Sequence, residues 1–366
     1  MISEYSDDAL RKIPLYRKGM HKSMSSGIQF CRFENYGVLP NFDFSNVSNI
    51  NLIIGENGTG KTAFLKALYS AARAMEDYKR GDDIRSMADI ISEKLRWTFQ
   101  VEKIGDIVTR GVTEPLSFQM TLDEQNIAYQ FSSSAERKVG AVTAPDSGRG
   151  ANSVFIPAKE VLSLFSVILE SREVDKAFGF DDTYYDLVKA LRIAPKRGRN
   201  FDAFAKSRRN LTEVINGKVD FDERSGKWYY RDKNNCRFAI GATSEGIKKI
   251  SILDRLLGNG YLNDQSVIFI DEIESALHPD AICKFLDMIY EIADKMGVQV
   301  FIATHSYFVI KKLVLLAMKK KEFITCISLK KDAKRPEIND LHDGMPDNSI
   351  IDTSIRLYEQ EIEEGL

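Results

Sequence analysis

The chain has 366 residues, of which 43% are hydrophobic and 28% charged, and its formal net charge at pH 7 is -2. This composition is ordinary for a globular protein, and the length suits one elaborated domain or two. Because the net charge is near zero, nucleic acid or membrane would have to be bound by a local patch. No apolar run in the sequence approaches the roughly 20 residues that span a bilayer, so no membrane association is predicted.

The four cysteines are far apart and show no paired spacing; they are Cys31, Cys236, Cys283 and Cys326. They predict neither a zinc site nor a disulfide framework, and a reducing cytoplasm is their natural setting. Residues 1–26 are polar and rich in Lys, Arg and Ser, without the apolar core of a secretory signal. We therefore predict a cytoplasmic protein with a flexible tail over residues 1–26.

Hydrophobic periodicity predicts strands and helices along the amino-terminal half. The predicted elements, in order, are strands over 27–34 and 41–54, a helix after residue 62, a helix over 80–94, hairpin strands over Leu116–Leu122 and Ile127–Phe131, and a strand over 153–157. Residues 133–152 are rich in Ser, Gly and Ala, as in an exposed loop. Residues 159–215 are predicted to be mostly helical and to form an insertion.

The carboxy-terminal half alternates strands with helices. Its predicted elements are a strand over Val267–Ile270, a helix over 280–296 that is closed by Gly297, a strand over Val298–Ala303, a strand over Phe323–Leu329 and a helix over Ile350–Ile362. Apolar strands separated by helices imply a largely parallel, buried sheet. The predicted fold is therefore α/β, with a mostly parallel sheet, an antiparallel β portion and the helical insertion.

A glycine-rich stretch at residues 55–62 lies between an apolar strand and a helical pattern. In that context the glycines let successive backbone N–H groups point at one phosphate, and the helix N-terminus adds to the field. Lys61 would reach the β- and γ-phosphates of ATP, and the Thr62 hydroxyl would bind Mg²⁺. The predicted nucleotide-binding residues are Gly55, Glu56, Asn57, Gly58, Thr59, Gly60, Lys61, Thr62 and Ala63.

Two acids follow the apolar strand that ends at Ile270. In phosphate-loop ATPases the first acid, here Asp271, supports Mg²⁺ together with the loop hydroxyl of Thr62. The second, Glu272, is placed where a carboxylate can polarise the attacking water. A buried strand that simply ends in solvated acids is the alternative, and the glycine-rich loop favours the functional interpretation.

The next strand ends at a histidine, His305. The carboxyl ends of parallel strands form the edge at which open α/β sheets bind ligands, so His305 is predicted to contact the γ-phosphate. The predicted catalytic residues are Glu272, His305 and Lys61. A second phosphate-binding surface is predicted upstream of the acidic strand, where Ser244 and Gly246 open a helix.

These residues and their order resemble the ABC-type ATPase heads, in the branch shared by structural-maintenance, break-repair and overcoming-lysogenization-defect (OLD) proteins. The OLD-like ATPases are the most similar, on the strings IGENGTGKT, FIPAKEVLS, SEGIKKISIL, FIDEIESALHP and ATHS, and the resemblance spans about residues 27–310. It implies a P-loop NTPase fold of the ABC-head type over residues 27–366, with the insertion at 159–215 as its helical lobe.

The resemblance also implies that two heads dimerise head-to-tail, so that each ATP lies between one chain's phosphate loop and the other chain's signature. The signature acting in trans would be Ser244, Glu245 and Gly246, and the D-loop would be Ser275, Ala276, Leu277 and His278. Glu245 departs from the first Gly of the transporter-type signature. Gln100 and Lys159 are alternative Q-loop residues, and Tyr36 is a candidate for stacking on adenine, although aromatics near strands are more often core.

Full-length OLD proteins carry a C-terminal Toprim nuclease, which needs a strand-end Glu and an Asp-x-Asp pair. Residues 306–366 contain no Asp-x-Asp pair, so we expect an ATPase without its own effector. Such stand-alone ATPases resemble subunits of anti-phage systems such as PARIS and Septu, in which a separate nuclease or toxin is held or released. The alternative is a RecF- or SMC-like DNA-repair ATPase. A small-molecule kinase is disfavoured, because it would need no signature.

A basic cluster bears on this choice. Its members are Arg192, Lys196, Arg197, Arg199, Lys206, Arg208 and Arg209. The cluster could contact a DNA backbone from the helical insertion. A solvated helix face and a contact with an acidic partner are the alternatives. Expected partners are therefore a second copy, in an ATP-dependent homodimer or higher homo-oligomer, a separate effector, and DNA.

Overall fold

The structure is a computed structural model that describes residues 26–45, 47–195, 209, 212–331 and 333–364. The predicted tail over residues 1–26 lies outside the described residues, apart from Ser26. The strands are β1 Ile28–Glu34, β2 Phe42–Phe44, β3 Ile50–Gly55, β4 Leu116–Leu122, β5 Gln125–Phe131, β6 Ala141–Thr143, β7 Val154–Ile156, β8 Gly217–Asp222, β9 Lys227–Asp232, β10 Arg237–Ala239, β11 Val267–Asp271, β12 Gln299–Thr304, β13 Thr325–Leu329 and β14 Glu337–Asp340. The helices are α1 Lys61–Asp77, α2 Met87–Phe99, α3 Phe165–Glu173, α4 Asp182–Arg192, α5 Glu245–Gly258, α6 Pro279–Met296, α7 Tyr307–Lys320 and α8 Ser349–Glu363.

The central sheet has six strands in the order β14-β13-β3-β12-β11-β7. All of them run parallel except β14, which is antiparallel to β13. Every residue of β3, β11, β12 and β13 is buried, as expected for strands that are covered on both faces. The prediction of a mostly parallel, buried sheet is confirmed.

A second sheet, antiparallel and ordered β2-β1-β4-β5-β6, covers one side of α1. Phe33 and Phe42 of this sheet stack on Phe64 of α1, with ring centroids 5.2 and 6.0 Å apart. Farther along α1, the Tyr69 ring packs edge-on against Phe269 of the central sheet at 5.9 Å. α1 is therefore held between two sheets, and the predicted antiparallel portion is confirmed.

The other face of the central sheet is covered by helices. α4, α5, α6 and α7 share one hydrophobic core with the side chains of β3, β11 and β12 that point to that side. α6 ends at Gly297, whose left-handed backbone (φ 71°) closes the helix where the sequence predicts. The helix predicted at the carboxy-terminal end is also present as α8.

Two local predictions are wrong, and one sheet was not predicted. The strand predicted over 41–54 is two strands, and the Asn51 side chain donates to the Ser48 carbonyl at 2.6 Å just before the second one. The helix predicted over 80–94 begins at Met87, where Ser86 caps it by accepting from a backbone N–H. The sheet is three-stranded and antiparallel, in the order β10-β9-β8, and comes after α4 in the sequence.

Buried charged side chains join α1, α2 and α4. Lys94 of α2 lies 2.9 Å from both Asp182 and Asp186 of α4, and these side chains are at most 10% exposed. Asp186 also accepts from the Tyr69 hydroxyl of α1 at 2.8 Å. Burial alone would raise the pKa of Asp186, but Lys94 and Arg73 hold it below its ordinary value. Asp186 is therefore an ionised group inside the protein, and its cations compensate for its lost hydration.

We expect Lys94→Met to lower the free energy of unfolding by about 3–5 kcal/mol, because it leaves two buried carboxylates without their shared cation. Urea unfolding at neutral pH measures this loss. Lys103→Met is the matched control: its pair with Glu136 is 2.6 Å long, but the side chains are 55% and 69% exposed, so solvent screening should make the loss much smaller than that of Lys94→Met. Equal losses in the two variants would contradict the dependence of the two buried carboxylates on Lys94.

Candidate active site

The glycine-rich loop connects β3 to α1 in a conformation that requires glycine. Gly60, the residue before α1, has φ 97°, and a Cβ there would lie 2.6 Å from the Leu39 side chain. A Cβ on Gly55 would lie 2.3 Å from the Leu329 carbonyl oxygen. Glu56, Asn57 and Gly58 are exposed at the tip of the loop. The loop therefore wraps closely around the N-terminus of α1, with its tip toward solvent.

The Lys61 ammonium lies inside this loop. Its Nζ donates to the carbonyl oxygens of Gly55 at 2.8 Å and Glu56 at 2.9 Å. Burial lowers the pKa of Lys61, while Asp271, Glu272 and the nearby Glu274 act in the opposite direction. Thr59 lies within the loop, where its hydroxyl also donates to the Glu56 carbonyl, and Ala63 is half-buried in the first turn of α1.

Thr62 and Asp271 meet across the site. The Thr62 hydroxyl donates to Asp271 Oδ2 at 2.9 Å. The other carboxylate oxygen, Oδ1, is buried and has no hydrogen-bond partner among the described residues. Burial raises the pKa of Asp271, although the Thr62 hydrogen bond opposes this. A hydroxyl beside a buried carboxylate with an unpartnered oxygen fits a hard cation such as Mg²⁺.

The ends of β11 and β12 bring Glu272 and His305 together. Because these strands are parallel neighbours, the residues that follow them leave the sheet at one edge. His305 Nδ1 lies 3.7 Å from Glu272 Oε1 and 3.4 Å from Glu274 Oε1. The His305 backbone N–H also donates to Glu274 Oε1 at 2.9 Å. Sequence reasoning missed Glu274, whose role is to hold the turn at His305.

Lys249 is a second residue that sequence reasoning missed. It lies on α5, is 2% exposed, and donates from Nζ to the backbone oxygens of Glu272 at 2.6 Å and Asp271 at 3.4 Å. Glu272 has a left-handed backbone (φ 46°), which costs energy for a residue with a side chain. Lys249 therefore stabilises the turn that carries both acids. Its only signal in the sequence is its place on the helix that Ser244 opens.

The predicted signature and D-loop pack against each other within one chain. Ser244 caps α5 by accepting from the Ile247 N–H at 3.4 Å, and it is exposed together with Glu245. A Cβ on Gly246 would lie 2.8 Å from the Leu277 side chain, so glycine permits close contact with the turn. Ser275 and Ala276 complete this turn, and His278 caps α6. Among the described residues, no hydrogen bond links Ser244 or Glu245 to the glycine-rich loop.

Tyr36 does not suit adenine stacking. Its side chain is 1% exposed, and its hydroxyl lies 3.3 Å from that of Tyr129, so the alternative that it belongs to the core is right. Val38, two residues on, is 67% exposed and lies beside Gly60.

Of the basic cluster, Arg192 ends α4 and Arg209 is exposed, while the other five residues lie outside the described residues. DNA contact through the cluster stays a prediction.

The sequence matches the family described as "AAA domain, putative AbiEii toxin, Type IV TA system" over residues 50–311, more than half of the chain. The chain belongs to this family. It is an AAA-family ATPase domain, and its fold is that of the P-loop ABC-type heads, as predicted. The narrower resemblance to the OLD-like branch stays a prediction. No curated protein matches the sequence significantly.

Solved structures similar to this AAA-family chain include three heads of SMC proteins. The SmcHead bound to the C-winged helix domain of ScpA is 14% identical with a TM-score of 0.50, and 86% of this chain and 98% of that chain are covered. The SMC head from Thermotoga maritima is 11% identical with a TM-score of 0.45, at 86% and 98% coverage. The Smc head with an extended coiled coil, bound to a ScpA domain from Pyrococcus furiosus, is 13% identical with a TM-score of 0.47, at 91% and 99% coverage.

None of the described helices combines the length and apolar character that a membrane crossing requires.

Two neighbouring lysines of α5 should affect stability differently as pH changes. Burial lowers the pKa of Lys249 to about 8, from 10.5 in an exposed lysine. The unfolded chain therefore binds more protons than the folded chain between these values, and stability rises with pH in that window. Relative to Lys249→Met, the wild type should gain about 1–2 kcal/mol in free energy of unfolding between pH 7 and about pH 9.5. Urea unfolding at both pH values measures this gain.

Lys248→Met is the control for this prediction. Burial lowers the pKa of Lys248, but Glu245 and Glu160 more than reverse this and leave it raised. Its folded state then loses the proton only above the window, so the wild type should gain nothing over Lys248→Met there. If the free energies of unfolding of the wild type and Lys249→Met differed by the same amount at both pH values, this would contradict the burial of the Lys249 ammonium.

Proposed function

We propose that the chain binds ATP with Mg²⁺ and hydrolyses it at the edge formed by residues 55–63 and the ends of β11 and β12. The observation that carries this proposal is the 2.9 Å contact between the Thr62 hydroxyl and the Asp271 carboxylate, beside the buried Lys61. Thr62 and Asp271 would hold Mg²⁺, which neutralises charge on the β- and γ-phosphates when bound. Lys61 would exchange its carbonyl partners for phosphate oxygens.

Glu272 would act as the general base. Its side chain is 38% exposed, so water can reach the carboxylate. Glu272 would accept a proton as the water oxygen attacks the γ-phosphorus and the bond to the bridging oxygen breaks, releasing ADP and phosphate. His305, which lies against Glu272 and Glu274, would donate a hydrogen bond to the γ-phosphate.

We also propose that two copies share each nucleotide head-to-tail. Ser244 and Glu245 are exposed at the N-terminus of α5, a helix of 14 residues, where unpaired backbone N–H groups favour an anion. With Gly246 they would face the γ-phosphate held by the partner. The turn from Ser275 to His278 packs on Gly246 and would lie at the same interface.

Glu272→Gln should keep ATP affinity and reduce hydrolysis by at least about a hundredfold, because the amide cannot accept the proton. The trapped ATP should increase the mass measured by light scattering over that of the same variant without ATP. Adding Ser244→Arg should abolish this increase while bound nucleotide remains.

Lys61→Ala should lose binding and turnover, and turnover that survived in this variant would refute the proposed ATP site. An unchanged mass with ATP, despite bound nucleotide, would refute the shared nucleotide.

We propose further that this ATPase restrains or releases a separately encoded toxin or nuclease in cytoplasmic anti-phage defence. The words "AbiEii toxin" and "Type IV TA system" in the family description favour this role. One similar head is bound to a domain of another protein, which supports partner binding by the fold. The DNA-repair alternative draws its support from the basic cluster between Arg192 and Arg209.

Expression of the chain with its gene neighbour should confer resistance to phage, and Lys61→Ala or Glu272→Gln should abolish it, because the effector would no longer be gated. Plaque counts measure the effect, with the chain expressed alone as the control. The purified chain alone should not cut DNA with Mg²⁺ or Mn²⁺. Unchanged plaque counts together with impaired recovery from DNA damage on deletion would favour the repair alternative.

A further inference from the structure

α8 has an apolar face that continues beyond the body of the protein. Ile351, in its first turn, is buried. Ile355, Tyr358 and Ile362 follow on the same face at helical spacing, and they are 51%, 62% and 61% exposed. Helices of this length are marginal in water without tertiary packing. An uncovered apolar face on such a helix therefore indicates a surface that another molecule covers.

Carboxylates border this face. Asp352, Glu359 and Glu363 lie along one side of it and Glu361 on the other, whereas Arg356 is the single basic residue of the helix. The described residues place none of these acids in an ion pair. Two α8 helices would repel each other if they packed face to face. The face therefore fits an apolar surface that carries positive charge.

α7 presents such a surface. Phe308, Leu315 and Met318 are 53%, 53% and 47% exposed, and their spacing places them on one face of the helix. Lys311 and Lys319 are exposed on the same face, and no ion pair holds them within the described part of the chain. At about 1.5 Å per residue, this face and that of α8 are each about 17 Å long.

We propose that α8 of one copy docks on the exposed face of α7 of a second copy. The apolar residues of α8 then cover Phe308, Leu315 and Met318, and its carboxylates meet Lys311 and Lys319. Within one chain α8 touches α7 yet leaves both faces exposed, so each face is available to another copy. If each copy docks its α8 on the α7 of the other, the two contacts are related by a two-fold axis and form a closed dimer. This contact requires no nucleotide and uses none of the residues assigned above to the shared ATP site.

The test is the mass of the full chain in EDTA without nucleotide, measured by light scattering and sedimentation over a range of concentrations. The wild type should self-associate, and Tyr358→Ser combined with Ile362→Ser should weaken the association at least about tenfold, because two central apolar contacts are lost. Leu357→Ser is the matched control. Leu357 is 59% exposed but lies on the opposite side of α8, so its loss should leave the association unchanged.

A charge exchange identifies the partner surface. Glu359→Lys with Glu363→Lys should weaken association, as should Lys311→Glu with Lys319→Glu, because each pair places like charges opposite each other. A mixture of the two double variants should associate again, because in a dimer of one variant with the other both α8–α7 contacts join opposite charges. Thermal melts establish that each variant is folded.

Several results would overturn the proposal. One is a wild type that stays monomeric without nucleotide up to about 50 μM, where a weak specific contact is detectable. Another is an association that the Tyr358 and Ile362 substitutions leave unchanged. A third is a mixture of charge variants that fails to associate, which would assign the α8 face to a different partner.

Discussion

The register of three parallel strands determines where the glycine-rich loop, the two acids and His305 meet. β12 lies between β3 and β11, so that Thr304 is opposite Ile54 and Ala303 is opposite Asp271. Because the three strands run in the same direction, the chain leaves all of them at one edge of the sheet. The glycine-rich loop, the two acids and the histidine come from distant parts of the sequence, and this edge is sufficient to bring them together.

The N-terminus of α1 is positioned from two sides. Aromatic packing holds the helix between two sheets, and buried ion pairs attach it to α4. Lys66, one turn after Thr62, lies 2.7 Å from Asp181, which caps α4. Buried ion pairs contribute little net stability, because desolvation offsets much of their attraction. Their strict geometric requirement instead ties the position of Thr62 to that of α4.

Much of the fold and part of the site could be predicted from the sequence. Apolar runs identified β3, β11, β12 and β13, because strands that are buried on both faces consist almost entirely of apolar residues. The role of Lys249 could not be predicted from the sequence, because its partners are backbone oxygens, which every residue supplies. β8 and β9 were missed because charged residues interrupt their alternation. Tyr36 shows the limit for aromatics, whose burial depends on distant residues such as Tyr129. The roles of the loop, the acids and His305 stay predictions, although the structure places these residues together.

Two attachments join the start of α5 to the turn after β11. Gly246 packs closely on Leu277, and the Lys249 ammonium joins the backbone of Glu272 to the same helix. Through these two attachments, a displacement at the start of α5 is transmitted to the turn after β11. In the proposed dimer, a displacement of Ser244 by the nucleotide of one copy would shift Glu272 in the other site by a similar distance. A shift of about 1 Å at a reacting group changes turnover by about a hundredfold. Hydrolysis at one ATP site would then depend on the state of the nucleotide at the other.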